Sequence, residues 1–413
     1  MGDRQVGVRQ LPVPEKTQTE PIRASSGSPD VNSGFYPIGD WLFLQEPVRP
    51  PTREGGMQNM RSVTAARSAL ARCSIAAVFL ATAPQTSLAD EGGISFWIPG
   101  LFGSLAATPQ QPGFSFASIY YHTSVDAGAD VAFARQVTRG RITTNFTGNL
   151  AVNLNADADL FIFVPSYVFA SPVLGGQAAV SLLVPYGRSK ASVDATLTGN
   201  LGLGGPGFTI GGSSSDSVTG FGDLAPQFSL RWNAGVHNFM TYVTGNLTVG
   251  RYDPDRLANL GIGHNAIDGG GGYTYFNPQT GNELSAVLGF TYNFENEFTQ
   301  YKNGVDMHLD MGASKFVTKQ LQLGAVAYAY QQLSCDSGAG NRVGCFESRV
   351  FGIGPQIGYV VPLGEHYQGY LNLKGYKEFE AEHRAEGWNV WLTFAISPAA
   401  APPPPAHMPI VRK

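Results

Sequence analysis

The sequence predicts an all-β protein: a transmembrane antiparallel β-barrel of about fourteen strands, with twelve possible. Three observations carry this. An export signal precedes the bulk of the chain. Only 14% of the 413 residues are charged, beside 51 glycines, 25 phenylalanines and 17 tyrosines. Apolar residues then recur with period two over segments longer than ordinary strands.

The export signal comes first. Arg61, Arg67 and Arg72 form a basic stretch around the start of an apolar run, residues 74–83, that Pro84 breaks. Ser87 and Ala89 are small residues at the positions a signal peptidase reads, so cleavage is expected before Asp90. The run is too short to cross a bilayer as a helix. Met57 and Met60 stand directly ahead of it, and residues 1–59 are rich in Pro, Ser, Gly, Arg and Gln. Such a composition cannot bury a core. It reads as a misassigned start or a disordered extension. Residues 60–89 are then the signal peptide, 90–113 an N-terminal periplasmic or plug segment, 114–396 the barrel, and 397–413 a Pro-rich tail.

Composition supports the same class. A soluble globule needs a charged surface, whereas few charges with a mean hydropathy of −0.07 suit a protein with apolar side chains toward lipid and uncharged polar ones toward water. A net charge of −4 and the lack of a basic stripe argue against nucleic acid as a partner. Cys73 falls in the signal. Cys335 and Cys345 remain in a Gly/Asn/Ser-rich stretch, and an even pair in an oxidising compartment most simply closes a loop disulfide. A metal site would need further ligands at matching spacing, and none flank the pair. No metal or other cofactor is expected.

The strands themselves follow from alternation. Trp388, Val390, Leu392, Phe394 and Ile396 share one face, as do Leu284, Ala286, Leu288, Phe290, Tyr292 and Phe294. Val305, Met307, Leu309 and Met311 oppose Asp306, His308 and Asp310. Strands are expected near 114–122, 141–154, 159–169, 177–186, 189–198, 221–232, 237–250, 270–277, 283–294, 304–317, 320–332, 346–361, 367–378 and 388–396. Several exceed the common globular length of about five to six residues and reach the roughly nine to eleven that span a membrane. Aromatics near segment ends suit interfacial girdles. Connections alternate between short (233–236, 278–282, 318–319, 362–366) and long, Gly-rich ones (199–220, 251–269, 333–345), as a barrel with short periplasmic turns requires. Removing 189–198 and 270–277 would leave twelve.

Three groups of residues are candidates for chemistry. Asp306, His308 and Asp310 share a strand face, within reach of a cation or a proton relay, yet any lumen must be polar, so lining is the simpler role. Glu295, Asn296, Thr299 and Tyr301 either line a mouth or hold a turn through side-chain hydrogen bonds. Tyr370, Asn372, Lys374 and Tyr376 alternate on one face and offer stacking and hydrogen bonds to a phenolic ring. Gly202, Gly204 and Gly207 match G-x-G-x-x-G, but Pro206 and the residues that follow do not open a helix, so a loop is expected. No G-x-S-x-G nucleophile elbow is present, and no catalytic residue is assigned.

A family resemblance adds to this. Phe96, Trp97, Ile98, Pro99 and Gly100, followed by Pro112, Gly113, Phe114, Tyr120 and Tyr121, resemble the N-terminal pattern of the outer-membrane family labelled "MetA-pathway of phenol degradation". So do residues 220–226 with Trp232 and Asn233, Gly281 to Glu283, residues 293–301, Tyr330 and Gln331, Asp336, and Gly354 with Pro355. Their order, over 93–397, is the specific feature. The resemblance implies a bacterial outer-membrane channel associated with catabolism of aromatic or hydrophobic compounds, its substrate undefined. Its partners would be outer-membrane lipid, the barrel assembly machinery and a small hydrophobic or aromatic solute. One departure is that Phe394 is followed by a tail, where such barrels usually end on an aromatic that the assembly machinery reads. The expected function is passive uptake. The alternatives are a non-conducting barrel whose loops bind a partner, and a lipid-modifying membrane enzyme.

Overall fold

The computed structural model describes residues 95–127, 148–200, 207–341, 344–345 and 347–399. The expected signal, the N-terminal extension and most of the tail lie outside these. Among the described residues there are thirteen strands: β1 Gly113–Ala127, β2 Gly148–Val168, β3 Gln177–Asn200, β4 Gly207–Phe221, β5 Ala225–Ala234, β6 His237–Gly245, β7 Ala266–Asn277, β8 Asn282–Asn293, β9 Asp306–Phe316, β10 Leu321–Gln332, β11 Arg349–Leu363, β12 Tyr367–Glu382 and β13 Glu386–Pro398. All pair antiparallel with their neighbours. β1 closes the ring on β13, from Phe116 opposite Ile396 to Asp126 opposite Glu386. Closure leaves the ring from β1 to β3 and from β5 to β13 continuous, the condition for a sheet to sit in lipid, while β4 pairs with β3 alone.

The barrel has twelve staves, because β4 and β5 are two segments of one. Both pair with β3, β5 along 177–183 and β4 along 186–200. Between them, Gly222, Asp223 and Leu224 face only Val184 and Pro185, so one residue is extra and the wall bulges. Pro185 has no N–H to give the ladder; its carbonyl accepts from Gly222 N at 2.9 Å. The fourteen expected segments resolve to twelve for a related reason. The segments at 141–154 and 159–169 belong to β2, which the structure describes from Gly148, and those at 177–186 and 189–198 belong to β3. These two strands, 21 and 24 residues long, exceed a bilayer span, so their far ends stand in water and carry polar residues without ending the strand. Region 199–220, expected as a loop, contains β4. A strand therefore starts at Gly207, and no helix opens there.

The sheet is polar inside and apolar outside. On β8, Glu283, Ser285, Thr291 and Asn293 are buried while Leu284, Leu288, Phe290 and Tyr292 are exposed. Thr291 is fully buried beside Phe290, which is 45% exposed. A water-soluble sandwich would have the reverse pattern, and an apolar outer belt of this kind needs lipid. Phe116, Phe163, Phe228, Phe239, Leu371 and Phe394 continue it around the ring.

Candidate functional site

Residues inside the barrel are not left facing water. The segment around Trp97 to Ala107 lies against the inward faces of the wall, and wall side chains satisfy its backbone. Gly100 and Phe102 donate their N–H groups to the Asp310 carboxylate at 2.9 and 3.2 Å. Lys374 Nζ donates to the carbonyls of the same turn, 3.0 Å to Phe102. A carboxylate on one side and an ammonium on the other thus clamp a single turn, and such charge-assisted bonds are the strong ones. Gly100, at φ +88°, fits because a Cβ there would lie 2.9 Å from the Tyr376 ring.

The clamp continues along the segment. Leu105 N donates to Glu283 Oε1 at 2.9 Å and to Ser285 Oγ at 3.0 Å. This turns Leu105 to φ +65°, a conformation an L-leucine rarely adopts. Ala107 N donates to Thr274 Oγ1 at 3.1 Å, and Gln356 Nε2 to Ser104 Oγ at 2.6 Å. From Glu283 a chain of bonds runs around the wall: Ser314 Oγ donates to Glu283, Gln322 Nε2 to Ser314 and Tyr370 OH to Gln322, each at 2.6 Å. Asn372 Nδ2 then reaches the Tyr370 hydroxyl at 3.2 Å.

Trp97 caps a buried histidine–carboxylate contact. Its ring stacks on His308, centroids 3.8 Å apart and planes at 11°. His308 Nε2 meets Asp268 Oδ2 at 2.9 Å, and Thr291 donates to the same oxygen at 2.6 Å. Gly289 makes room, since a Cβ there would overlap both Tyr242 OH and the His308 ring.

The three residues on β9 all point inward and are buried, but they do not share a ligand. Asp306 accepts from Asn293 Nδ2 at 2.8 Å, His308 pairs with Asp268, and Asp310 holds Gly100 and Phe102. Among the described residues, no serine hydroxyl is bonded to His308. Glu295 is exposed and Thr299 half-buried. Asn296 and Tyr301 stitch a turn: Asn296 Nδ2 donates to Tyr252 OH at 2.7 Å, and Tyr301 OH to Asp336 at 2.6 Å. Tyr370, Asn372, Lys374 and Tyr376 all face inward, where they contact the protein itself; Tyr376 packs on Tyr328 with centroids 4.8 Å apart. Cys335 and Cys345 form a disulfide. Glu347 lies beside them, but bridged sulfurs are not thiolate ligands, so the three do not make a metal site.

None of these candidates lines the cavity beside the Ser95–Leu101 stretch. That space, about 300 Å³, lies between the Ser95–Leu101 stretch and β1, β2 and β3. Ile98, Leu101, Leu154, Leu160, Ile162 and Leu183 give it apolar walls. One side is the bulge at Gly222 and Asp223, covered by Asn259 to Ile262. Asp223 fixes that cover: its carboxylate accepts from Gly250 N and Ile262 N, each at 2.8 Å, and from Asn246 Nδ2 at 3.2 Å. The polar corner holds Glu378, Arg384 and Asn389. Sequence reasoning missed Asp223 and Arg384 as site residues. Asp223 sits within the noted run 220–226, but nothing in that run marks the bulge.

Residues 139–394 match the family described as "Putative MetA-pathway of phenol degradation". The chain belongs to this family. The matched span includes most of the barrel and stops short of the N-terminal residues 96–121, which also carry the resemblance. No curated protein matches the sequence. Among solved structures, an outer membrane channel from Pseudomonas putida F1 aligns over 73% of this chain and all of its own, with 13% identity and a TM-score of 0.51. A FadL homologue from Pseudomonas aeruginosa aligns over 76% of this chain and 98% of its own, with 10% identity and a TM-score of 0.32. This member of the phenol-degradation family is a bacterial outer-membrane β-barrel of channel-like architecture.

Proposed function

We propose that the barrel is a passive route by which small hydrophobic or aromatic molecules cross the outer membrane. The observation that carries this is the cavity: an apolar chamber inside the barrel, walled on one side by the Ser95–Leu101 stretch of the chain itself. Its volume lies at the lower end of pockets that hold small organic ligands. The chamber is bounded below by the Ser95–Leu101 stretch, held by polar contacts that can be exchanged for water. Passage therefore requires that stretch to shift, while the disulfide-closed loop and the docked 246–262 cover stay in place. Nothing in the chamber supplies energy, so flux follows the gradient.

Uptake into proteoliposomes tests the proposal. Phenol and toluene-like solutes should enter faster than through protein-free vesicles, and sugars and amino acids should not. Filling the chamber with Ile162→Trp should slow the aromatic solutes. A folded barrel that passes no solute, or one indifferent to Ile162→Trp, would overturn it.

A further inference from the structure

The chamber's charged residues point to the kind of solute it takes, an inference that rests on the chamber being a solute site. Four charged residues line it: Asp157, Asp223, Glu378 and Arg384. Asp223 is saturated by its three N–H donors. Glu378 is buried and committed on both oxygens, accepting from Tyr328 OH at 2.6 Å and from Gly387 N at 2.8 Å. Asp157 belongs to the outward set of β2: Val152, Leu154 and Ile162 are buried on the inner face, and strand alternation puts 153, 155, 157 and 159 on the other.

Arg384 differs from these. Its guanidinium lies over the Tyr330 ring, 4.4 Å from the centroid, and its one hydrogen bond among the described residues is a long one, 3.5 Å to Ser95 Oγ. Among the described residues no carboxylate pairs with it. Two acidic neighbours on the same hairpin are engaged elsewhere: Glu382 holds Arg349 at 2.6 Å, and Glu386 accepts from Ala381 N at 3.2 Å; Glu380 is exposed. A half-buried guanidinium, stacked on an aromatic face, keeps its planar donor edge for a carboxylate. The apolar wall of Leu160, Ile162 and Leu183 lies in the same chamber.

We propose that Arg384 anchors the acidic end of an amphipathic solute, a small organic carboxylate whose apolar body fills the chamber. Glu378 works against an anion nearby, but its charge is already shared with two donors, whereas that of Arg384 is not. Ligands matched in shape and differing in charge separate the effects: benzoate, benzamide and benzylamine, titrated calorimetrically into the refolded full chain in detergent. Benzoate should bind about tenfold to a hundredfold more tightly than benzamide, the range expected for a charge-assisted hydrogen-bonded pair. Arg384→Gln should abolish that preference and leave benzamide binding unchanged, and Arg384→Lys should keep part of it. Arg188→Gln, which removes an exposed guanidinium outside the chamber, should alter nothing. Equal binding of benzoate and benzamide to the unaltered protein, or tightest binding of benzylamine, would overturn the role of Arg384 and leave the chamber standing. Binding of none of the three would overturn the chamber reading itself.

Discussion

The clamp on Gly100 and Phe102 makes a prediction whose size can be worked out. Asp310→Ala removes a buried carboxylate that accepts N–H groups at 2.9 and 3.2 Å. A hydrogen bond to a charged group contributes about 1.5–3 kcal/mol, with the longer one near the bottom of that range. The freed N–H groups recover part of this from water once the turn lifts. A net weakening of docking of about 2 kcal/mol is therefore expected, and at about 1.4 kcal/mol per factor of ten the undocked population rises roughly thirtyfold. Asp310→Asn keeps one accepting oxygen without the charge and should fall between. Amide hydrogen exchange of the 95–107 stretch in the refolded protein reads this directly. The barrel strands serve as an internal control, because their amides are held by neighbouring staves. Unchanged exchange of 95–107 in Asp310→Ala, with the barrel's heat-modifiable gel mobility intact, would refute the clamp.

Four further outcomes are expected. Leu288→Arg places a charge on the lipid face at the middle of β8 and should cost about 2–4 kcal/mol of folding stability in vesicles, while an equally bulky but apolar Leu288→Met should cost little; equal stability of all three would mean that this face does not meet lipid. Gly289→Val forces a side chain into Tyr242 and His308 and should increase exchange around Trp97 without unfolding the barrel, as read by the same hydrogen-exchange experiment. Reducing Cys335–Cys345 should speed proteolysis in the 333–348 loop and leave barrel melting unchanged, since the bridge closes only that loop; a large drop in melting would contradict it. The salt bridge that ties Arg256 of the 246–265 loop to Asp216 on β4 gives a pH dependence: Arg256 holds the Asp216 carboxyl at about 2, below its ordinary 3.8. A depressed folded-state pKa contributes stability above the ordinary value that is lost as pH falls through the folded one. Protection of the 246–265 loop from an acid-active protease should thus hold above about pH 4 and decline as the pH falls from there through about 2, and Asp216→Asn should lower protection above about pH 4 and make little difference below about pH 2.

How much of this was legible depended on what period two can carry. Alternation on β8 and β9 identified which residues face inward, because one face of each strand meets lipid and the other does not. It also identified Tyr370, Asn372, Lys374 and Tyr376 as a single face. It could not separate a turn from the water-exposed extension of a strand, since both are polar. The stretch after Leu154 and the Pro185–Gly187 region were therefore read as breaks in what are single strands, and β4, rich in Gly and Ser, was read as a loop. Nor could alternation say what the inward groups bind. Asp310 and Lys374 look in sequence like the lining of an open pore. In the structure their partners are Gly100 and Phe102, more than 200 residues away, and no local spacing encodes that.

The same limit explains why the chamber residues escaped notice. A polar lumen can be satisfied by water or by the chain itself, and around β6 to β10 and β12 the chain does it. The segment's polar backbone draws the charged and amide side chains of that half of the wall onto itself. What remains on the β1–β3 side is a wall of alanine, leucine and isoleucine that has no polar backbone to satisfy and is left open. The residues that look most functional in sequence thus hold the floor. The chamber is lined by those that look least so, and by Arg384 on a short hairpin turn. Specificity should therefore respond more strongly to changes at Leu160, Ile162 and Arg384 than at His308 or Tyr370, whereas gating should respond in the opposite order. Measuring both solute preference and segment exchange in Ile162→Trp and Asp310→Ala tests that division: each variant should move one readout and spare the other, and a variant that moves both would show floor and chamber to be a single coupled unit.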